Sequence, residues 1–180
     1  MKYYEPGDDT FIFLDILIEN LRKSNTIENN VFLEIGTGSG YLTSKIQENF
    51  PKNFFISTDI NKNVPRKIRK NKELIFADLL EPIRQDLVDV IFFNPPYVHT
   101  EFVTKRGIEA SYEGGKNGRE VIDNFINKLK VKIVFLLIIE VNKPDEVLRL
   151  FDKNGYDAKI IFEKDIIGEK IFIVKSNKRF

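Results

Sequence analysis

Two adjacent prolines set the strictest limit on what this chain can fold into. Pro95 and Pro96 close an apolar run, residues 88–93, interrupted only by Asp89. Neither proline can donate a backbone hydrogen bond, and Pro96 biases Pro95 away from the helical region. The run therefore predicts a short buried strand that stops at Asn94 in a stiff, extended turn. That turn holds one carboxamide, Asn94, and one aromatic ring, Tyr97, in place. Ligands of α/β sheets sit at the carboxyl ends of strands, so Asn94, Pro95, Pro96 and Tyr97 are candidates for the chemistry.

The same pattern of apolar run and abrupt stop recurs along the chain. Residues 31–35 predict a buried strand broken by Gly36-Thr37-Gly38-Ser39-Gly40, and residues 41–49 resume a helical pattern closed by Pro51. Residues 54–58 predict a strand ending in Asp59, residues 62–70 a helix with Pro65 in its first turn, and residues 74–77 a short strand ending in Asp78. After the prolines come a polar, Gly-rich loop over 99–117, a helix over 119–129, a strongly apolar strand over 131–139 and a helix over 144–154 ended by Gly155. Residues 158–162 and 170–175, separated by a turn with Gly168, predict a terminal antiparallel hairpin. Ahead of all these, residues 3–9 form a polar lead-in in which Asp8 or Asp9 can cap a helix. Its apolar stripe is Phe11, Leu14, Leu17, Ile18 and Leu21. Strands alternating with helices predict one domain over residues 1–180, an open and mostly parallel sheet with helices on both faces.

Composition narrows the chemistry. Cysteine is absent and His99 is the single histidine, which excludes disulfides, thiolate chemistry and a histidine-rich metal centre; no metal is expected. A net charge of +1 is not the footprint of a protein that neutralises many phosphates, so a nucleic-acid partner is not expected. The densest basic cluster, Arg66, Lys67, Arg69, Lys70 and Lys72, reads as a solvated helix face. The approach to the fifth strand, Lys128-Leu129-Lys130-Val131-Lys132, has no functional account. No apolar stretch approaches the roughly 20 residues that span a bilayer, and no signal-peptide core is present. The expectation is a soluble intracellular protein.

Three strand ends before the prolines carry residues of a ligand-holding type. Glu34 with the glycine loop through Gly36, Gly38 and Gly40 allows close backbone approach at a helix N-terminus. Asp59, 19 residues beyond Gly40, can accept two ribose hydroxyls, or cap the next helix. Asp78 can accept an adenine amine. The G-x-G-x-G spacing is not the G-x-G-x-x-G of dinucleotide folds, which argues against a nicotinamide dehydrogenase.

The series E-x-G-x-G-x-G, D, D, N-P-P-Y resembles class I S-adenosylmethionine-dependent methyltransferases of the amino-methylating type. Tyr4-Glu5-Pro6-Gly7-Asp8-Asp9-Thr10 and Gly107-Ile108-Glu109-Ala110 through Gly114-Gly115-Lys116-Asn117-Gly118-Arg119 are similar to two segments of the eukaryotic and archaeal release-factor glutamine methyltransferases. Lys143-Pro144-Asp145-Glu146 is similar to that family's N-x-P-E-E helix start. The resemblance implies a Rossmann-like fold with a seven-stranded sheet and N5-methylation of the glutamine in a termination factor's Gly-Gly-Gln motif. In it Glu34, Gly36 and Gly38 would line the methionine and ribose part of the cofactor, Asp59 would hold the ribose, and Asp78 and Leu79 the adenine. Thr10 would close over the cofactor. Asn94 would touch both cofactor and substrate, with Pro95, Pro96 and Tyr97 holding the substrate amide. The family works with a small zinc-binding activator subunit, expected here along the sheet-edge strand 74–77, and in the cytoplasm with a nuclear pool allowed. The alternatives are methylation of a protein lysine or an adenine amine, or a non-catalytic binding module of the same fold.

Overall fold

The structure, a computed structural model, describes residues 3–23, 28–64, 73–104 and 109–179. Its elements run α1 (Asp8–Arg22), β1 (Val31–Ile35), α2 (Tyr41–Asn49), β2 (Phe54–Asp59), β3 (Glu73–Phe76) and β4 (Val90–Phe93). They continue with α3 (Glu120–Asn127), β5 (Ile133–Ile139), α4 (Pro144–Lys153), β6 (Tyr156–Ile166) and β7 (Glu169–Lys178). The basic cluster 66–72 and most of the helix expected over 62–70 lie outside the described residues.

One sheet carries the strands in the order β3-β2-β1-β4-β5-β7-β6. β1 to β5 pair in parallel, whereas β5 with β7 and β6 with β7 pair antiparallel. This is the expected mostly parallel, seven-stranded sheet with its C-terminal hairpin. Alternate side chains of each strand face opposite ways, and the sheet uses both faces. Phe32, Val90, Phe92, Phe135, Leu137 and Ile173 pack with Phe13, Leu17 and Leu21 of α1 and Leu42 and Ile46 of α2. Leu33, Ile91, Phe93, Val134, Leu136 and Ile138 pack on the other face with Ile122 and Phe125 of α3 and Val147 and Phe151 of α4. A strand buried on both faces reads as an unbroken apolar run, which is why β4 and β5 stand out in the sequence.

Strand limits differ from expectation where polar residues intervene. β4 starts two residues late because Val88 closes the 3-10 turn Gln85–Leu87, its N–H donating to the Gln85 carbonyl. Asp89 beside it accepts the Val31 N–H at 3.0 Å. β6 and β7 extend beyond the apolar windows 158–162 and 170–175, since β6 is an edge strand with an exposed polar face. Lys128 and Lys132 of the 128–132 run acquire a plain role in surface ion pairs. Lys128 pairs with Glu81 at 3.6 Å and Lys132 with Asp89 at 3.1 Å, both partly exposed and worth little to stability. No helix among the described residues is long and apolar enough to cross a membrane.

Candidate active site

At the carboxyl ends of the parallel strands lies a cavity of about 480 Å³. It takes in Thr10, Glu34, Gly36, Gly38, Asp59, Asp78, Leu79, Asn94, Pro95, Pro96 and Tyr97, so the fold brings together the residues expected at cofactor and substrate, while Gly40 of the glycine loop lies outside the lining.

On one side of the cavity Glu34, the last residue but one of β1, is fully enclosed at 2 % exposure. Thr37 Oγ1 donates to its Oε2 at 2.7 Å, and the Thr43 hydroxyl and N–H donate to the same oxygen. All these bonds converge on Oε2, leaving Oε1 for a ligand in the cavity. Burial pushes the Glu34 carboxyl up to about 7 against the lowering effect of those donors. The glycine loop turns through three left-handed residues, Gly36, Gly38 and Gly40, a conformation that costs glycine little. Three of its amides are already engaged. Thr37 N–H donates to the Thr58 carbonyl at 2.8 Å, Gly38 N–H to Asp59 Oδ2 at 2.8 Å and Gly40 N–H to the Thr37 carbonyl at 2.7 Å. Asp59 also accepts the Asn61 N–H at 2.7 Å through Oδ1, and burial raises its pKa. Beyond β3, Leu79 adopts a left-handed backbone at φ 53°, a strained choice for a side chain of its size and one that concentrates at ligand sites.

The other side is the Asn-Pro-Pro-Tyr turn. Asn94 Nδ2 donates to Asp9 Oδ2 at 2.9 Å, and the Tyr97 hydroxyl donates to the same oxygen at 2.9 Å. Asp9 Oδ1 accepts the Tyr4 hydroxyl at 3.1 Å and Thr10 Oγ1 at 3.2 Å. Gly7, rather than Asp8 or Asp9, occupies the cap position of α1. Asp9 is buried at 4 % exposure and drawn into the site by these donors. Asn94 Oδ1 is left buried with no hydrogen-bond partner. Burial and the Asp9 charge hold both the Tyr97 and Tyr4 phenols well above the usual tyrosine range, so both are neutral donors. Glu169 of β7 also lines the cavity, its pKa raised by burial and by Asp9.

The turn is braced from behind by the Gly-rich loop and by Asn142, a residue that sequence reasoning passed over. Asn142, fully buried after β5, donates through Nδ2 to the carbonyls of Tyr97 at 2.9 Å and of Asn117 and Gly118 at 3.1 Å each. Its Oδ1 accepts the Ile139 N–H at 2.8 Å. The signal for it was present as the asparagine of Asn142-x-Pro144, one residue ahead of the segment compared with the N-x-P-E-E motif. Val98 and Gly114 are cross-linked, with Val98 N–H donating to the Tyr112 carbonyl and Gly114 N–H to the Val98 carbonyl. Arg119 fastens the end of this loop to Asp123 of α3 at 2.9 Å and to Glu146 of α4. His99 Nδ1 accepts the Asn117 N–H at 2.8 Å, so the lone imidazole serves the loop.

No family model matches the chain. Over 97 % of its length it is 32 % identical to methyltransferase HEMK2 of Homo sapiens, 89 % of which is covered. It is likewise 32 % identical to the eRF1 methyltransferase catalytic subunit mtq2 of Schizosaccharomyces pombe, over 96 % of this chain and 87 % of that one. Among solved structures it is similar to the E. cuniculi Mtq2–Trm112 complex, responsible for methylation of the termination factor eRF1. That match has a TM-score of 0.84 and 36 % identity over 99 % of both chains.

Proposed function

The chain belongs to the HEMK2/Mtq2 family of methyltransferases, and we propose that it methylates the side-chain nitrogen of a glutamine in a release factor. The acceptor is the glutamine of the Gly-Gly-Gln motif, the methyl donor S-adenosylmethionine, and the enzyme the catalytic subunit beside a small zinc-binding activator. One observation carries the acceptor reading. Asn94 Oδ1 is a buried hydrogen-bond acceptor with no partner, and leaving such an atom unsatisfied costs about 1–3 kcal/mol. An incoming N–H relieves that cost.

The residues on the other side fit the donor. The cavity, about 480 Å³, suits a nucleoside with an amino-acid tail together with one amide side chain. Glu34 and the glycine loop would line the methionine and ribose part, Asp59 would accept ribose hydroxyls, and Asp78 and Leu79 would hold the adenine. Thr10 would close the near side. With the N–H groups of Thr37, Gly38 and Gly40 bonded within the protein, the loop offers few donors to a pyrophosphate, which favours a phosphate-free nucleoside over a dinucleotide. When bound, S-adenosylmethionine supplies a methyl group on a sulfonium leaving group.

The chain's own residues supply orientation. An amide nitrogen is a poor nucleophile because its lone pair is delocalised into the carbonyl. Asn94 Oδ1 and the Pro95 carbonyl would accept its two N–H bonds and aim the nitrogen in line with the methyl group, and Tyr97 would wall the amide plane. On gaining the methyl group the nitrogen would release one of those two protons to water. His99 is engaged at Asn117 and the phenols are neutral, so positioning rather than a strong base carries the rate. Labelled S-adenosylmethionine with purified release factor tests this: label should appear on the Gly-Gly-Gln glutamine and fall about a hundredfold with Asn94→Ala. Equal labelling by that variant removes Asn94 from the mechanism. Asp59→Ala should weaken S-adenosylhomocysteine binding about tenfold, through a lost ribose contact worth roughly 1.4 kcal/mol; unchanged affinity sinks the ribose assignment.

The activator reading is supported by β3. Among the described residues it is the edge strand next to β2, with Ile75 and Phe76 exposed at 37 % and 43 %, and an apolar strand at a sheet edge invites strand addition. The similar E. cuniculi enzyme is seen in complex with Trm112. A chain that is monodisperse and fully active alone overturns this part. A release-factor substrate places the enzyme in the cytoplasm, with a nuclear pool allowed.

A further inference from the structure

Asn94 and Tyr97 cannot set their own orientation. The two faces of a carboxamide have nearly the same shape, and a rotation of Asn94 by half a turn exchanges an acceptor for two donors. In the donor-out state the side chain would repel the N–H groups of an acceptor amide. What selects the acceptor-out state is Asp9, a carboxylate that can only accept, placed 2.9 Å from Nδ2. The same oxygen takes the Tyr97 hydroxyl at 2.9 Å, so one atom fixes both ends of the turn.

From this geometry we infer that Asp9 is the positioning residue of the acceptor site, presenting Asn94 as a pure hydrogen-bond acceptor and so restricting the substrate to nitrogens that still carry hydrogen. This rests on the methyl-transfer reading above. The surrounding structure is arranged around the carboxylate. Its second oxygen is held by Tyr4 at 3.1 Å and Thr10 at 3.2 Å. A side chain on Gly7 would place its Cβ 2.9 Å from Asp9 Oδ1 and 3.2 Å from the Tyr4 hydroxyl, so the glycine keeps this corner open. Asp9 lies in the first turn of α1, where the helix dipole favours an anion. Because Thr10 is the next residue and lines the cavity, the segment that closes on the donor also sets the acceptor.

The inference distinguishes hydrogen bonding from charge. An asparagine at position 9 keeps an oxygen where Asn94 Nδ2 and the Tyr97 hydroxyl arrive, while its own amide meets a Tyr4 hydroxyl free to turn and accept. An alanine keeps neither. With the activator complex and release factor, Asp9→Ala should lower kcat about 30- to 100-fold, the scale of a 1 Å misplacement. The KM for release factor and the Kd for S-adenosylhomocysteine should stay within about threefold, a contrast that general damage to the site does not produce. Asp9→Asn should recover kcat to within about fivefold of wild type, one neutral hydrogen-bond acceptor having replaced a charged one. A kcat for Asp9→Ala within threefold of wild type overturns the inference, as does Asp9→Asn falling as far as Asp9→Ala.

A second measurement needs no transfer at all. In the wild-type complex the side-chain amide protons of Asn94 should be protected from solvent exchange, seen by nitrogen-15 NMR, and should lose that protection in Asp9→Ala but keep it in Asp9→Asn. Fast exchange in the wild type, or protection unaltered by Asp9→Ala, refutes the positioning role whatever the substrate. Protection that behaves as expected in a protein that does not label release factor leaves Asp9 in its role and refutes the proposed substrate instead.

Discussion

Gly118→Ala is expected to cost about 2–5 kcal/mol of stability and to cut methyl transfer at least a hundredfold, without touching any cofactor contact. Gly118 has φ +63°, and a Cβ built on it would lie 1.9 Å from the Tyr97 carbonyl oxygen, 2.6 Å from Asn142 Nδ2 and 2.7 Å from the Tyr97 carbonyl carbon. The obstacle is mainly backbone, so no rotamer change relieves it. The left-handed conformation alone costs alanine about 1–2 kcal/mol, and forcing the loop off the turn adds about 1–3 kcal/mol. The loop and turn move apart, and Asn142 loses the carbonyls it holds together. Gly155 provides the control. It has φ +85° with nothing within 4 Å of a built Cβ, so Gly155→Ala bears the backbone cost and none of the collision. Urea unfolding of the two variants should differ by the collision alone, about 1–3 kcal/mol, with only Gly118→Ala losing kcat. Equal losses would mean that the close approach to Tyr97 is unimportant.

That pair also shows what a sequence can and cannot announce. Gly155 was readable as a helix end because its effect is local. β1, β4 and β5 were readable because burial on both faces leaves an unbroken apolar run, and the glycine loop and the prolines because each acts on its own backbone. Asp9 was read as a helix cap, a role equally natural for its local sequence, because the partners that decide its function are 85 and 88 residues away. Asn142 escaped for the same reason, its acceptors lying 45, 25 and 24 residues upstream. The hairpin was underestimated because polar side chains on the exposed face of β6 hide a strand whose pairing to β7 runs from Tyr156 to Ile166. The candidate site was thus legible in residues that line the cavity, while the residues that orient them depend on tertiary placement.

Glu34→Gln is expected to make the protein more stable at pH 8 while weakening cofactor binding. Burial pushes the Glu34 carboxyl from 4.5 up to about 7. Between those values the folded chain holds a proton that the unfolded chain has released, so the stability contributed by this group falls as pH rises through the window. The penalty is absent below the unfolded value and complete above about pH 7, where a shift of this size corresponds to about 3 kcal/mol. Glutamine removes the titration. The variant should match wild type near pH 4.5 and exceed it at pH 8 by up to about 3 kcal/mol, less what the Thr37 and Thr43 contacts give up. The slope of stability against pH between 5 and 7 should flatten accordingly, as read from urea midpoints. A glutamine variant destabilised equally at pH 5 and pH 8 would show instead that the folded chain does not raise the Glu34 pKa, so that its ionisation carries no cost. The expected gain explains why an acid that weakens the fold is tolerated at this strand end. A buried carboxylate that lowers stability without ligand, and whose Oε1 is left unpaired by Thr37 and Thr43, is better suited to a ligand's hydroxyl or cationic group than to packing. Stability recovered by its removal should therefore be accompanied by a cofactor affinity lower by about tenfold or more.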